Sequence, residues 1–118
     1  MTALIVGAAF APAPAHAHAF PTAEQPLVGA TVNTPPSRVA ITYDAPIESL
    51  FARLEVLNGA GQNETAGPPH VARNQHELSV TLKPLEQGDY TVKWSVVAED
   101  GHRTEGSYVF TVAGGGPR

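Results

Sequence analysis

Along most of the chain apolar and polar residues alternate one by one. Val39, Ile41 and Tyr43 are separated by Ala40 and Thr42, Leu54 and Val56 by Glu55, and Leu78, Val80 and Leu82 by Ser79 and Thr81. The longest stripe runs through Tyr90, Val92, Trp94 and Val96, and the last through Tyr108, Phe110 and Val112. Side chains two apart leave the same face of a pleated strand, so each stretch predicts a strand with one buried and one wetted side. Trp94 is in phase with Val92 and Val96 and is expected in the core. A further strand is predicted over residues 27–32 and a short edge strand over 70–73. Helical periodicity is missing throughout, and residues 47–51 predict a single turn at most.

Turn chemistry separates these stretches. Pro35-Pro36, Gly59-Ala60-Gly61, Gly67-Pro68-Pro69 and Gly88-Asp89 all fall between stripes, and proline has no N–H to donate to a sheet ladder. About seven short strands joined this way predict an all-β fold, a small immunoglobulin-like or cupredoxin-like β-sandwich or barrel.

Size and composition narrow the function classes. A chain of 118 residues has room for one domain. With 42% hydrophobic and 15% charged residues it can fill one core and lies far from the composition of disorder. A net charge of −4 gives a nucleic acid no electrostatic reason to bind, so no nucleic-acid partner is expected. Cysteine is absent, which excludes disulfides, thiol nucleophiles and thiolate metal sites.

The first residues change the picture. Residues 3–11 form an apolar run, Pro12-Ala13-Pro14 breaks it, and Ala15-His16-Ala17 then puts small residues where a signal peptidase reads them. No Lys or Arg precedes the run, unlike the usual positive n-region. The run is also shorter than the roughly 20 apolar residues a membrane span needs. The expectation is a signal peptide over residues 1–17, a domain over 18–113 whose first residue is His18, and a flexible Gly-rich tail over 114–118.

Cleavage after Ala17 would give His18 a free α-amine, and an N-terminal histidine can hold a metal through both its amine and its imidazole. Asp100-Gly101-His102 follows the longest stripe. An Asp and a His two apart in an extended segment project the same way, and the glycine between them adds no bulk. Two imidazoles, an amine and a carboxylate form a nitrogen-rich set of the kind that suits tetragonal Cu(II), which also heads the divalent affinity order. His18, Asp100 and His102 are therefore the candidate metal ligands.

The segments around these residues carry a resemblance. His18-Ala19-Phe20 is followed by Pro26-Leu27-Val28-Gly29-Ala30, then by Pro35-Pro36-Ser37, Val39-Ala40-Ile41-Thr42-Tyr43 and Pro46-Ile47-Glu48. The most specific stretch runs from Gly88-Asp89-Tyr90 through Lys93-Trp94-Ser95 to Glu99-Asp100-Gly101-His102. From His18 to Val112 the chain resembles the CopC/PcoC family of periplasmic copper-resistance proteins. The resemblance implies a Greek-key β-barrel or sandwich in the periplasm. It also implies one Cu(II) held by the amine and imidazole of His18 with Asp100 and His102. As partners it implies copper itself and a membrane copper transporter of the CopD type, met by a monomer. Two departures stand out. Some members also hold Cu(I) in a methionine-rich loop, but the one methionine here is Met1. Many carry a glutamate that supports the site where this chain has Ala45, with Asp44 beside it.

Function would then be copper carriage or buffering, without catalysis. Two alternatives use the same features differently. Lytic polysaccharide monooxygenases also bind copper through an N-terminal and a second histidine, but they are about twice as long, and Asp100 would fill a position that oxygen activation wants open. An immunoglobulin-like interaction module would make His18 incidental. Among the remaining candidates, His70 and His76 sit among polar loop residues and are expected to be solvated. Asn63-Glu64-Thr65 matches a glycosylation sequon that is frequent by chance.

Overall fold

The computed structural model describes residues 18–114, so the expected signal peptide and residues 115–118 of the expected tail lie outside it. Eight strands follow one another: β1 (Pro21–Gln25), β2 (Thr31–Val32), β3 (Arg38–Tyr43), β4 (Arg53–Leu57), β5 (His70–Val71), β6 (Glu77–Thr81), β7 (Gly88–Val97) and β8 (Arg103–Val112). One 3-10 turn, Ser49–Phe51, stands where a single helical turn is predicted. The strands form two four-stranded sheets, one ordered β1-β3-β6-β5 and the other β2-β8-β7-β4. All pairings are antiparallel except that of β2 with β8.

The alternation seen along the chain becomes the core between the sheets. One sheet contributes Val39, Ile41, Tyr43, Leu78 and Val80; the other contributes Leu54, Val56, Val92, Val96, Phe110 and Val112. Each such side chain stabilises the fold by about 1.5–3 kcal/mol relative to exposure. Tyr90 stacks on Phe110 with ring centroids 5.5 Å apart. Trp94 is half-buried rather than enclosed, packing edge-on against Tyr43 at 5.5 Å. It lies beside Gly106, its cross-strand partner, whose missing side chain makes room for the indole.

Two parts of the strand pattern differ from expectation. Residues 27–30 are a turn and only Thr31–Val32 pairs, because Gly29 has φ +75° and the Ala30 N–H closes back on the Leu27 carbonyl at 3.0 Å. Leu27 and Val28 are therefore apolar and exposed. Conversely, β1 has no alternation to read, since none of its five residues is fully buried; its strand character comes from pairing along the edge of β3.

The feature that positions the site is the β7–β8 hairpin. Ten consecutive pairs run from Gly88 opposite Val112 to Val97 opposite Arg103, leaving residues 98–102 as its tip. There the Ala98 N–H donates to the His102 carbonyl at 3.0 Å and the Gly101 N–H to the Ala98 carbonyl at 2.9 Å. Gly101 has φ +88°, which a residue with a Cβ adopts only with strain. Ala98 is buried and bridges to Ile47, so the tip is tied down rather than free.

A Cβ at Gly106 would stand 2.7 Å from Cζ2 of Trp94. Gly106→Ala is expected to destabilise the domain by about 1–3 kcal/mol, the usual cost of overpacking. Denaturant unfolding followed by Trp94 fluorescence measures it, and an unchanged midpoint would mean that the indole is not confined.

Candidate metal centre

Asp100 and His102 are held to each other by the local backbone. The His102 N–H donates to Oδ1 of Asp100 at 3.0 Å, the Asx turn expected of an aspartate two residues back. The other carboxylate oxygen meets Nδ1 of His102 at 2.5 Å. This contact puts the proton of a neutral ring on Nδ1, leaving Nε2 of His102 as the nitrogen with a free lone pair. Partial desolvation pushes the Asp100 carboxyl up, but the two hydrogen bonds from His102 and the nearby His102 and His18 rings outweigh it. The net effect holds the carboxyl below its ordinary range.

His18 arrives from the other end of the chain. Ala19 is fully buried, which turns the flanking His18 and Phe20 outward in the manner of an extended segment. Thr104 donates its hydroxyl to the Ala19 carbonyl at 2.7 Å. The Phe20 N–H donates to Oδ1 of Asp44 at 2.8 Å, and the Asp44 N–H returns a bond to the Phe20 carbonyl at 3.0 Å. His18 then lies edge-on to His102, with ring centroids 4.7 Å apart, and edge-on to Phe20 at 6.1 Å.

The three residues singled out in the sequence thus come together. One ligand atom from each of His18, Asp100 and His102 lies within 4.8 Å of the others, and all three residues are exposed. An ion about 2 Å from each donor needs opposite ligands no more than about 4 Å apart, so a closure of about an ångström would let all three donors reach one ion. The donors are two imidazoles and one carboxylate, a fit for a borderline divalent ion and a poor one for a soft monovalent ion.

Among the described residues, neither of the other two histidines joins this group. His70 is exposed on a two-residue edge strand, as expected. His76 is half-buried rather than fully solvated, with Nδ1 3.0 Å from the Tyr43 carbonyl, a structural contact. Ala45 is buried in the core and offers no polar atom, whereas Asp44 is exposed and bonded to Phe20. Thr104 was not a candidate in the sequence. The signal that could have marked it is its position two residues after His102, on the same strand side.

With fold and geometry in place, comparison with known proteins is direct. A family model described as the CopC domain matches residues 22–113. The chain belongs to the CopC family. The matched range includes Asp100 and His102 and begins after His18. Protein YobA of Escherichia coli K12 is 33% identical over 98 residues, covering 81% of this CopC-family chain and 79% of YobA. Copper transport protein CutJ of Bacillus subtilis is 28% identical over 92% of the chain, which spans only 20% of CutJ. CopC from Methylosinus trichosporium OB3b superposes with a TM-score of 0.78 at 25% identity, covering 86% of this chain and 98% of that one. PcoC from Escherichia coli, a methionine-rich copper resistance protein, shares the fold with a TM-score of 0.71 at 21% identity, covering 81% of this chain and 99% of PcoC.

In this CopC-family domain the Asp100 carboxyl is depressed through His102. Its folded-state stabilisation is therefore present above the unfolded carboxyl range and lost as acid protonates it. In His102→Ala the Asp100 titration should move upward toward an ordinary aspartate. Carbon-detected NMR titration checks this; a midpoint unmoved by the substitution would mean that the contact does not persist in solution.

Proposed function

We propose that this CopC-family chain is a periplasmic Cu(II)-binding protein that carries or buffers copper for homeostasis and resistance, with no catalytic step. The observation that carries the reading is the convergence of His18 with Asp100 and His102 from opposite ends of the domain. Removal of residues 1–17 in export supplies the fourth donor, the α-amine of His18, which closes a chelate ring with the same residue's imidazole. His102 offers its Nε2. Asp100 contributes either carboxylate oxygen, since each retains a lone pair after accepting its present bond. Copper is the cargo, and these side chains bind it, neutralise part of its charge and leave it exposed for transfer.

The names of relatives support copper as the metal: a copper transport protein in Bacillus subtilis and a copper resistance protein in Escherichia coli. The donor set supports the divalent state, because nitrogen and carboxylate ligands favour Cu(II) over Cu(I). A carboxylate at the metal also fills a position that oxygen activation would keep open, which favours carriage over oxidation. CutJ, where a matching segment makes up one fifth of a longer copper transport protein, supports a part in copper transport; the partner in this reading is a membrane copper transporter of the CopD type, met by a monomeric carrier.

Protein beginning at His18 should bind one Cu(II) per chain, and His102→Ala and Asp100→Ala should each weaken binding at least about tenfold. Equilibrium dialysis with paramagnetic resonance reads both quantities. Two tight sites, or spectra unaltered in both variants, would overturn the ligand assignment.

Retaining residues 1–17, or adding one residue before His18, turns the amine into an amide, whose nitrogen has no available lone pair unless it is deprotonated. Such a chain should bind Cu(II) much more weakly than one starting at His18 yet unfold at the same temperature, because every strand lies beyond residue 20. Calorimetry on the two forms separates site from scaffold, and equal affinity would remove the α-amine from the ligand set.

A further inference from the structure

His18 and His102 are carried by different sheets. His18 lies three residues before β1, which pairs with β3, while His102 is the last residue of the hairpin tip and immediately precedes β8. The ladder bond from the Asp44 N–H to the Phe20 carbonyl ties the N-terminal segment to the first sheet only. What fixes it against the second sheet is the Thr104 hydroxyl on the Ala19 carbonyl at 2.7 Å, together with the fully buried Ala19 methyl. Thr104 stands two residues from His102, and Ala19 is bonded directly to His18. The route from one imidazole to the other through this hydrogen bond is therefore only a few residues long. On the opposite side, Oδ1 of Asp44 takes the Phe20 N–H at 2.8 Å, so residue 20 is gripped at both its N–H and its carbonyl.

We propose that Thr104 and Asp44 are positioning residues that hold the His18 backbone in binding register with Asp100 and His102 before any metal arrives. The proposal rests on the reading of His18, Asp100 and His102 as the copper ligands. Neither residue ligates: the Thr104 hydroxyl is engaged with Ala19, and the Asp44 carboxylate faces the peptide of residue 20. Their role is to remove beforehand the conformational entropy that a free chain terminus would otherwise lose on chelation. Asp44 thereby acts through the N-terminal segment, beside the position where Ala45 offers no carboxylate. The hydroxyl of Thr104 is the critical group because it alone, among the described side-chain hydrogen bonds, joins the N-terminal segment to β8, the strand that begins directly after His102.

Four variants test this: Thr104→Val and Asp44→Ala, which remove the groups, and Thr104→Ser and Asp44→Asn, which keep a hydroxyl and an acceptor oxygen. In the metal-free full chain, the nuclear Overhauser contact between the His18 and His102 rings should weaken in the first two and persist in the second two. In protein starting at His18, Thr104→Val should lower Cu(II) affinity about tenfold and Thr104→Ser should restore it. Retained ring contact and affinity within about twofold of the parent in both Thr104→Val and Asp44→Ala would overturn the proposal. Should Thr104→Val lower the unfolding temperature enough to loosen the whole domain, Asp44→Ala decides alone, since its side chain is exposed and leaves the core intact. A parent protein that binds no Cu(II) would defeat the copper reading, while the metal-free ring contacts would still decide the positioning role.

Discussion

The ten-pair ladder between β7 and β8 is the constraint on which the rest of this domain depends. Its register decides which residues face inward: Tyr90, Val92 and Val96 on one strand, and Tyr108, Phe110 and Val112 on the other. A slip of either strand by one residue would turn that strand's whole inward set outward. The same register fixes the length of the tip, where five residues must carry the chain from Val97 to Arg103. Glu99, Asp100, Gly101 and His102 are the part of that tip that meets solvent, so the geometry of the candidate metal centre follows from pairing that extends along the whole sandwich.

The sequence made some of this legible and concealed the rest for physical reasons. Strict alternation revealed β3, β4, β6, β7 and β8 because each has one face in the core. Asp100 and His102 were legible because a spacing of two in an extended segment needs no knowledge of distant residues. Strand β1 was hidden: it forms an edge, and its pairing with β3 demands backbone hydrogen bonds rather than buried side chains. Leu27 and Val28 misled in the opposite sense, since apolar residues are not barred from a surface turn. The contact of Thr104 with Ala19 could not be read at all. It joins positions 85 apart in the chain, and no local pattern announces a hydrogen bond that only the closed sandwich creates.

Exposure of the centre is as informative as its composition. A buried ion pair or metal cage exacts a desolvation penalty that only good geometry repays. Here the three side chains remain in contact with water, and the organisation comes from backbone and side-chain hydrogen bonds behind them. Such a centre can be ordered without being enclosed. An incoming ligand from another molecule can approach the same ion without the fold having to open.

The closeness of His18 and His102 has one more consequence. The domain has no cysteine and hence no covalent tie between its ends. An ion shared by these two residues would clip the N-terminal segment to the last hairpin and close nearly the whole domain into one loop. Any ligand that binds the folded state alone also adds to its stability by mass action. Such an ion would serve as a removable cross-link in the folded domain, so the loaded protein would resist unfolding and proteolysis better than the empty one, and the lifetime of each molecule would record whether it holds metal.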